Sequence, residues 1–139
     1  MNELQFLDAN ILLYSIATEP GEAAKRERAT AILDNDNGAL SVQVLQEFYV
    51  QATRATRADP LPHELAERLI QTWTRFKVQE ITLPVLMGAL EIKATHGFSY
   101  WDSAIIASAR ALGCRVLYSE DMQHGREVEG IRIVNPFRR

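Results

Sequence analysis

The sequence has little cysteine and lacks long apolar runs. Its single Cys114 cannot form an internal disulfide, which excludes a disulfide-stabilised fold and is typical of a cytoplasmic protein. The apolar segment from Leu4 to Ile16 is interrupted by Asp8 and Asn10, is too short to span a membrane, and shows no signal-peptide pattern. We therefore expect a cytoplasmic location, no membrane contact, and a buried, space-filling role for Cys114.

Positive charge is also scarce. The 139 residues carry 15 Lys and Arg against 18 Asp and Glu, which gives a formal net charge of −3. This balance argues against a protein that holds nucleic acid through a broad cationic surface. A nuclease that uses a divalent metal stays possible, because the bound metal supplies the positive charge that contacts the phosphate.

Two common catalytic patterns are missing as well. There is no glycine-rich phosphate loop of the Walker type, which disfavours an ATPase. The histidines His63, His96 and His124 are scattered, and none lies in a nucleophile setting, so a metal-free, histidine-driven ribonuclease is disfavoured. His124 is close in sequence to Asp121 and is either a surface residue or a support for a site there.

Short apolar segments alternate with helical patterns along the chain. The strand candidates span 5–7, 39–42, 78–81, 115–118 and 131–134, and the main helical patterns span 22–33, 44–54, 62–76, 84–96 and 101–112. This alternation predicts a single α/β domain over residues 1–139, a three-layer α/β/α sandwich with a parallel five-stranded sheet between helices. In such sheets, functional residues collect at the carboxyl ends of the strands, where the strand order reverses.

Four acidic residues occupy positions that this fold brings together. Asp8 directly follows the first strand, and Asp121 follows the fourth. Glu47 lies in the helix after the second strand, and Asp102 opens the helix before the fourth. Grouped carboxylates repel one another, so a convergent set indicates a bound cation, and oxygen ligands select Mg²⁺ or Mn²⁺. A bound divalent ion lowers the pKa of water and stabilises charge on a phosphoryl oxygen, which is the chemistry of a nuclease.

Each acid also has a structural explanation. Asp8 can cap a short helix beginning at Ile11, and Asp121 can be an ordinary turn residue. Asp102 has capping-box spacing with Ser99, and Glu47 can be a solvated helix residue. Glu47 and Asp102 nevertheless lie among apolar residues, and an acid in such surroundings needs a partner.

Four segments of the chain together resemble the PIN-domain family, and they look most like its bacterial VapC-type toxins. They span 6–14, 40–49, 101–109 and 117–125. The resemblance extends from residue 4 to about residue 137, and no acidic position is missing. It implies Mg²⁺- or Mn²⁺-dependent cleavage of RNA. The four catalytic acids that it implies are Asp8, Glu47, Asp102 and Asp121. Of these, Asp8, Asp102 and Asp121 are the implied metal ligands. Asn10 and Ser119 are the implied polar supports.

The resemblance also implies partners, namely an RNA substrate, a cognate antitoxin and a second copy of the chain. An acidic pocket attracts an arginine as readily as a metal, which gives an antitoxin a physical means of blocking the site. Trp73 and Phe76, in the segment 60–76, either form an apolar contact face or pack in the core. Several cations either line an RNA path or are solvated on helix surfaces: Arg54, Arg57, Arg68, Arg75 and Lys77.

Two other functions stay open at this point. An aspartate-based phosphotransfer domain also places an aspartate after a strand and uses Mg²⁺, but the second residue after Asp8 is Asn10, so the paired aspartates of such phosphatases are absent. A non-catalytic module would keep the fold and use the acidic pocket to capture a basic peptide. The presence of all four acids disfavours this second alternative.

Overall fold

The computed structural model describes residues 3–138 of the chain, so Met1, Asn2 and Arg139 of the predicted domain range lie outside the described part. The strands are β1 (Gln5–Leu7), β2 (Gly38–Ser41), β3 (Lys77–Gln79), β4 (Val116–Tyr118), β5 (Glu127–Val128) and β6 (Ile131–Val134). They form one sheet in the order β3-β2-β1-β4-β6-β5. The predicted parallel pairing is confirmed for five of them.

The predicted number of strands was wrong by one. β5 pairs antiparallel with β6 at the edge of the sheet, across a two-residue turn in which Glu129 and Gly130 have φ values of 54° and 82°. Positive φ at both positions is the geometry of a tight hairpin turn. With two residues, β5 is too short to show the alternating pattern by which a strand is predicted.

The helices are α1 (Ala9–Ser15), α2 (Ala23–Leu33), α3 (Val42–Ala52), α4 (His63–Trp73), α5 (Leu83–His96) and α6 (Tyr100–Ala111), with a 3₁₀ turn at Pro20–Glu22. They flank the sheet, with α1 packed on α2 and α3, and α5 packed on α6. All predicted helices are present, and the boundaries differ by a few residues. α3 begins earlier than predicted, because Ser41 caps it by accepting a hydrogen bond from the Val44 backbone N–H.

The order of the strands places a switch point between β1 and β4. From β1 the chain first builds outward through β2 and β3, and then returns to add β4 and β6 on the other side of β1. The register pairs Leu7 with Tyr118, so the two strands end side by side. Residues that follow these strands therefore meet at the same edge of the sheet.

The core lies between the sheet and the helices. Residues Ser103–Ala109 of α6 are all buried, as the small and apolar sequence of this helix predicts. Trp73 and Phe76 are 5% and 7% exposed, so they pack in the core and do not form a contact face. Cys114 is buried as predicted, and burial raises the pKa of its thiol to about 11. Within residues 3–138, no helix is long and apolar enough to cross a membrane.

Candidate functional site

Asp8 lies at the switch point with its carboxylate buried and held on both oxygens. Its backbone N–H donates to the carbonyl of Tyr118, which continues the pairing of β1 with β4 by one residue. The Oδ1 atom accepts a hydrogen bond from the Ala9 N–H at 2.8 Å, and Oδ2 accepts one from the Ser119 hydroxyl at 2.7 Å. Asp8 therefore caps α1, as one interpretation of the sequence held, and also faces the end of β4. The helix starts at Ala9, two residues before the predicted Ile11.

Asn10 and Ser119 join Asp121 to Asp8. The Asn10 side-chain amide donates to Asp121 Oδ2 at 3.2 Å, and its oxygen accepts from the Glu120 N–H at 3.3 Å. The Ser119 hydroxyl that donates to Asp8 accepts a bond from the Asp121 N–H at 3.3 Å. Two polar side chains thus fix the segment after β4 against the beginning of α1, and Asp8 and Asp121 lie at one edge of the sheet.

Glu47 and Asp102 approach from helices α3 and α6. The Gln43 amide donates to Glu47 Oε1 at 3.0 Å and to the Trp101 carbonyl at 3.3 Å, which ties the two helices together. The Asp102 N–H donates to the Ser99 hydroxyl at 3.1 Å, so the predicted capping relation is present. Both acids are half-buried. Among residues 3–138, no hydrogen bond joins either of them directly to Asp8 or Asp121.

The pKa values show that the acids lie within electrostatic reach of one another. Burial raises the pKa of Asp8 to about 6; bonds from Ser119 and Ala9 oppose this rise, and the charges of Glu47 and Asp121 add to it. Burial, together with the charge of Asp121, also raises the pKa of Asp102, against the opposing effect of the Ser99 side chain on the carboxylate. The four carboxylates therefore share one region of negative potential.

None of the four acids is neutralised by an ion pair in the described part of the chain, because the ion pairs found between residues 3 and 138 involve other residues. Nor does any group of three or more His, Cys, Asp or Glu side chains within those residues lie close enough to hold a metal ion as placed. The chemistry of the donors still fits a hard divalent ion, because all four are carboxylates and Asp8 is almost fully buried without a charged partner.

A second, different carboxylate lies directly beside this cluster. Glu120 accepts hydrogen bonds from the Tyr14 hydroxyl and the Lys25 ammonium, each at 2.5 Å. Lys25 also lies 4.8 Å from the centre of the Tyr14 ring. This network was not predicted, since Tyr14, Lys25 and Glu120 are far apart in the chain and come from α1, α2 and the segment after β4.

His124 takes no part in the acidic cluster. It is exposed, and its Nδ1 accepts a hydrogen bond from the Asn135 N–H at 3.0 Å. Of its two predicted roles, the surface residue is therefore the correct one.

Several solved structures have a similar fold. A toxin–antitoxin complex from Klebsiella pneumoniae has a chain that is 16% identical, with a TM-score of 0.71 over 96% of this chain and 98% of that one. VapC20 of Mycobacterium tuberculosis, a sarcin–ricin loop cleaving toxin, is 20% identical, with a TM-score of 0.66 over 84% of this chain and 89% of that one. FitAcB from Neisseria gonorrhoeae is 21% identical, with a TM-score of 0.68 over 96% and 98%. At these identities the similarity establishes the fold alone.

No curated protein matches the sequence. The model of the PIN domain does match it, over residues 6–126. This range covers well over half of the chain and contains all four acidic residues of the candidate site. The family resemblance read from the sequence is thereby confirmed, and the chain belongs to the PIN-domain family.

Proposed function

We propose that this chain is a Mg²⁺- or Mn²⁺-dependent endoribonuclease that acts as the toxin of a toxin–antitoxin pair. The observation that carries the proposal is the meeting of Asp8 and Asp121 at the ends of β1 and β4, through Ser119 and Asn10. Negative charge is concentrated there, and no ion pair among residues 3–138 neutralises it. A site that must hold a divalent ion needs such a concentration.

The proposed roles are those that the family resemblance implies. Asp8, Asp102 and Asp121 would hold the ion, and Glu47 would be the fourth catalytic acid. When bound, the ion lowers the pKa of a water molecule and stabilises negative charge on a phosphoryl oxygen. In the hydrolysis, the water oxygen bonds to phosphorus, one P–O ester bond breaks, and the proton lost by the water is balanced by one gained at the leaving oxygen.

Asn10 and Ser119 are positioning residues in this scheme. Hydrogen bonds from Ser119 and from the Ala9 N–H favour the ionised form of Asp8, which is the form that binds a metal, against the effect of burial. The Asn10 amide orients Asp121 through a hydrogen bond to its Oδ2 atom. The protein thus orients two ligand carboxylates before the ion arrives.

The cluster also suits the proposed protein partner. A guanidinium binds a carboxylate through two parallel hydrogen bonds, so an arginine from an antitoxin would occupy oxygens that the ion needs. Structures with this fold include one described as a toxin–antitoxin complex. We expect co-expression with the product of an adjacent reading frame to give a stable complex in which cleavage is inhibited.

An exposed apolar stripe supports the proposed homodimer. Leu83, Met87 and Leu90, which are 69%, 55% and 45% exposed, are spaced along one face of α5. We expect light scattering to report a dimer for the unsubstituted chain and a monomer for Met87→Asp.

The central test is a cleavage assay on purified protein. Structured RNA is incubated with the unsubstituted chain in Mn²⁺, in EDTA, and with the Asp8→Asn variant. Asp36→Asn, at an exposed position outside the cluster, is the matched control. We expect cleavage by the unsubstituted chain and by Asp36→Asn in Mn²⁺, and none in EDTA or with Asp8→Asn. Equal cleavage in all reactions would identify a contaminant.

Two outcomes would favour the other functions. Tight binding of a basic peptide without cleavage of any RNA would favour the binding module. An acyl phosphate trapped on Asp8 would favour the phosphotransfer domain.

A further inference from the structure

Two neighbouring cavities form an open groove beside the acidic cluster. The first, of about 420 Å³, is lined among others by Asp121, Arg54 and Arg57. The second, of about 330 Å³, is lined among others by Glu47, Arg54 and Trp101. The two cavities adjoin at Gln51 and Arg54, which line both of them, and each contains one of the four acids; we call the pair the Arg54 groove.

Two arginines of the groove are available to an anionic ligand. Arg54 and Arg57 follow α3, and within residues 3–138 neither forms an ion pair, although the acids Glu22 and Asp121 line the same cavity. Arg57 donates a hydrogen bond to the carbonyl of Asp59. Arg75 donates to the carbonyl of Leu33, 42 residues away, and so joins two segments of the fold. Guanidinium groups that form no ion pair are suited to phosphate oxygens.

One aromatic side chain of the groove, Trp101, is unusually exposed, whereas Tyr14, which lines the first cavity, is half-buried. Trp101 is 65% exposed, whereas the other tryptophan, Trp73, is 5% exposed. The Trp101 backbone carbonyl accepts a bond from Gln43, and its ring packs edge-on against that of Tyr100, with the two ring centres 5.1 Å apart. An aromatic ring held in solvent beside a catalytic cluster is suited to stacking with a nucleotide base.

These observations assign substrate-binding roles to three residues outside the acidic cluster, and the assignment rests on the proposed function. We propose that the Arg54 groove binds a single-stranded segment of RNA, with phosphates at Arg54 and Arg57 and an unpaired base stacked on Trp101. The phosphodiester between these contacts then lies against the acidic cluster. A duplex does not fit this arrangement, because the faces of its bases are covered by their neighbours.

The first test measures binding of a fluorescein-labelled RNA oligonucleotide of mixed sequence, as a single strand and as a duplex. Fluorescence anisotropy is recorded with the full chain carrying Asp8→Asn, so that the RNA stays intact. Trp101→Ala should weaken binding of the single strand by about 5- to 150-fold, the range for loss of one stacked base, and Trp101→Phe should restore most of it. RNA should quench the intrinsic fluorescence of the parent protein but not that of Trp101→Phe, because Trp73 is buried.

The second test measures how the affinity for the single strand depends on salt concentration. Arg54→Gln and Arg57→Gln should each reduce the slope of log affinity against log salt by about 0.7, the value for one phosphate contact on a single strand. Helix α4 supplies the matched controls. Arg68→Gln and Leu65→Ala change an exposed cation and an exposed apolar residue that do not line the groove. Both should bind RNA as the parent does.

Three results would contradict the proposal that the Arg54 groove binds RNA. They are wild-type affinity in Trp101→Ala, equal affinity for duplex and single strand, and a change of oligomeric state in Trp101→Ala that accounts for its weaker binding. Cleavage assays separate this failure from that of the proposed function. If the chain cleaves RNA and Trp101→Ala and Arg54→Gln retain its kcat/KM, the groove is wrong and the nuclease stands. If the unsubstituted chain neither binds nor cleaves RNA, both proposals fail.

Discussion

Glu120 and Asp121 are consecutive residues whose carboxylates have opposite surroundings. Burial acts to raise the pKa of Glu120, but the bonds from Lys25 and Tyr14 outweigh it, and the pKa is lowered. Asp121 and Asp8 have neutral hydrogen-bond donors and other carboxylates around them. One carboxylate is neutralised within the fold, and the neighbouring cluster is not.

This difference separates a structural acid from a functional one. An ion pair completed inside the protein fixes segments of the chain and leaves no charge for a ligand. Burial and the neighbouring carboxylates instead raise the pKa of Asp8, which costs folding free energy that a bound cation would recover. The comparison predicts different responses to substitution at Glu120 and in the cluster.

The largest predicted difference concerns activity. Asp121→Asn removes a proposed ligand and should lower the rate of RNA cleavage at least about 100-fold, the scale on which loss of a single transition-state contact acts. Glu120→Gln, one residue away, should retain cleavage within about tenfold, since second-layer effects in metal sites start near that size. Single-turnover rates in Mn²⁺ provide the measurement. An equal loss of cleavage rate in both variants would contradict the distinction between a structural Glu120 and a functional Asp121.

A smaller effect is predicted for the stability of Asp8→Asn. The pKa of Asp8 in the folded protein is about 6, above its ordinary value of 3.8, so the ionised form destabilises the fold. This loss of folding free energy is absent below pH 3.8, where the carboxyl is protonated in both states, and is complete above about pH 6. Asparagine carries no charge, so the variant does not suffer this loss. We expect Asp8→Asn to be more stable by about 1–2 kcal/mol near pH 7.5, with allowance for a weakened bond to Ser119.

Urea denaturation at several pH values checks this prediction. The advantage of Asp8→Asn should shrink as the pH falls through 6 and vanish near pH 4. Asp36→Asn, at an exposed position, serves as the control. An advantage that does not change with pH would show that the charge of Asp8 is not its cause.

The smallest effect is predicted for Lys25→Met. Lys25 is 39% exposed, so solvent screens its ion pair with Glu120, and its loss should cost about 1 kcal/mol or less near pH 7. Because the folded-state pKa of Glu120 is lowered from 4.5, this stabilisation is present above that pH and is lost as the pH falls through the folded-state value. Urea denaturation compares Lys25→Met with Lys77→Met, which changes an exposed lysine outside this ion pair. The difference in the free energy of unfolding between the two variants should shrink as the pH falls. A larger difference at low pH would show that the charge of Glu120 is not the source of the stabilisation.

The sheet could be predicted from the sequence because its strands are apolar segments bounded by turn residues. β1 and β6 were placed correctly to the residue. β3 was predicted to extend through Ile81, but that residue is 64% exposed and lies beyond the strand. A short apolar run does not reveal whether its last residue is paired in a sheet or lies on the surface.

Glu47 lies in the middle of α3 and Asp102 in the first turn of α6, so the direction of their side chains depends on how these helices pack. The meeting of Asp8 and Asp121 could be predicted more directly, because each follows a strand and the two strands end side by side. The network of Tyr14, Lys25 and Glu120 could not, since nothing local links three residues on separate elements. The exposure of Trp101 was not predicted either. It belongs to the first turn of a helix whose following residues are buried, and side-chain direction at a helix end depends on tertiary packing.

The claim on which the account depends is that the unneutralised carboxylates bind a divalent ion. Isothermal titration calorimetry of Mn²⁺ against the unsubstituted chain, Asp102→Asn and Glu120→Gln tests it directly. The account predicts binding by the unsubstituted chain, a similar affinity for Glu120→Gln, and an affinity at least about tenfold weaker for Asp102→Asn. Absence of binding by the unsubstituted chain, or an unchanged affinity in Asp102→Asn, would contradict it.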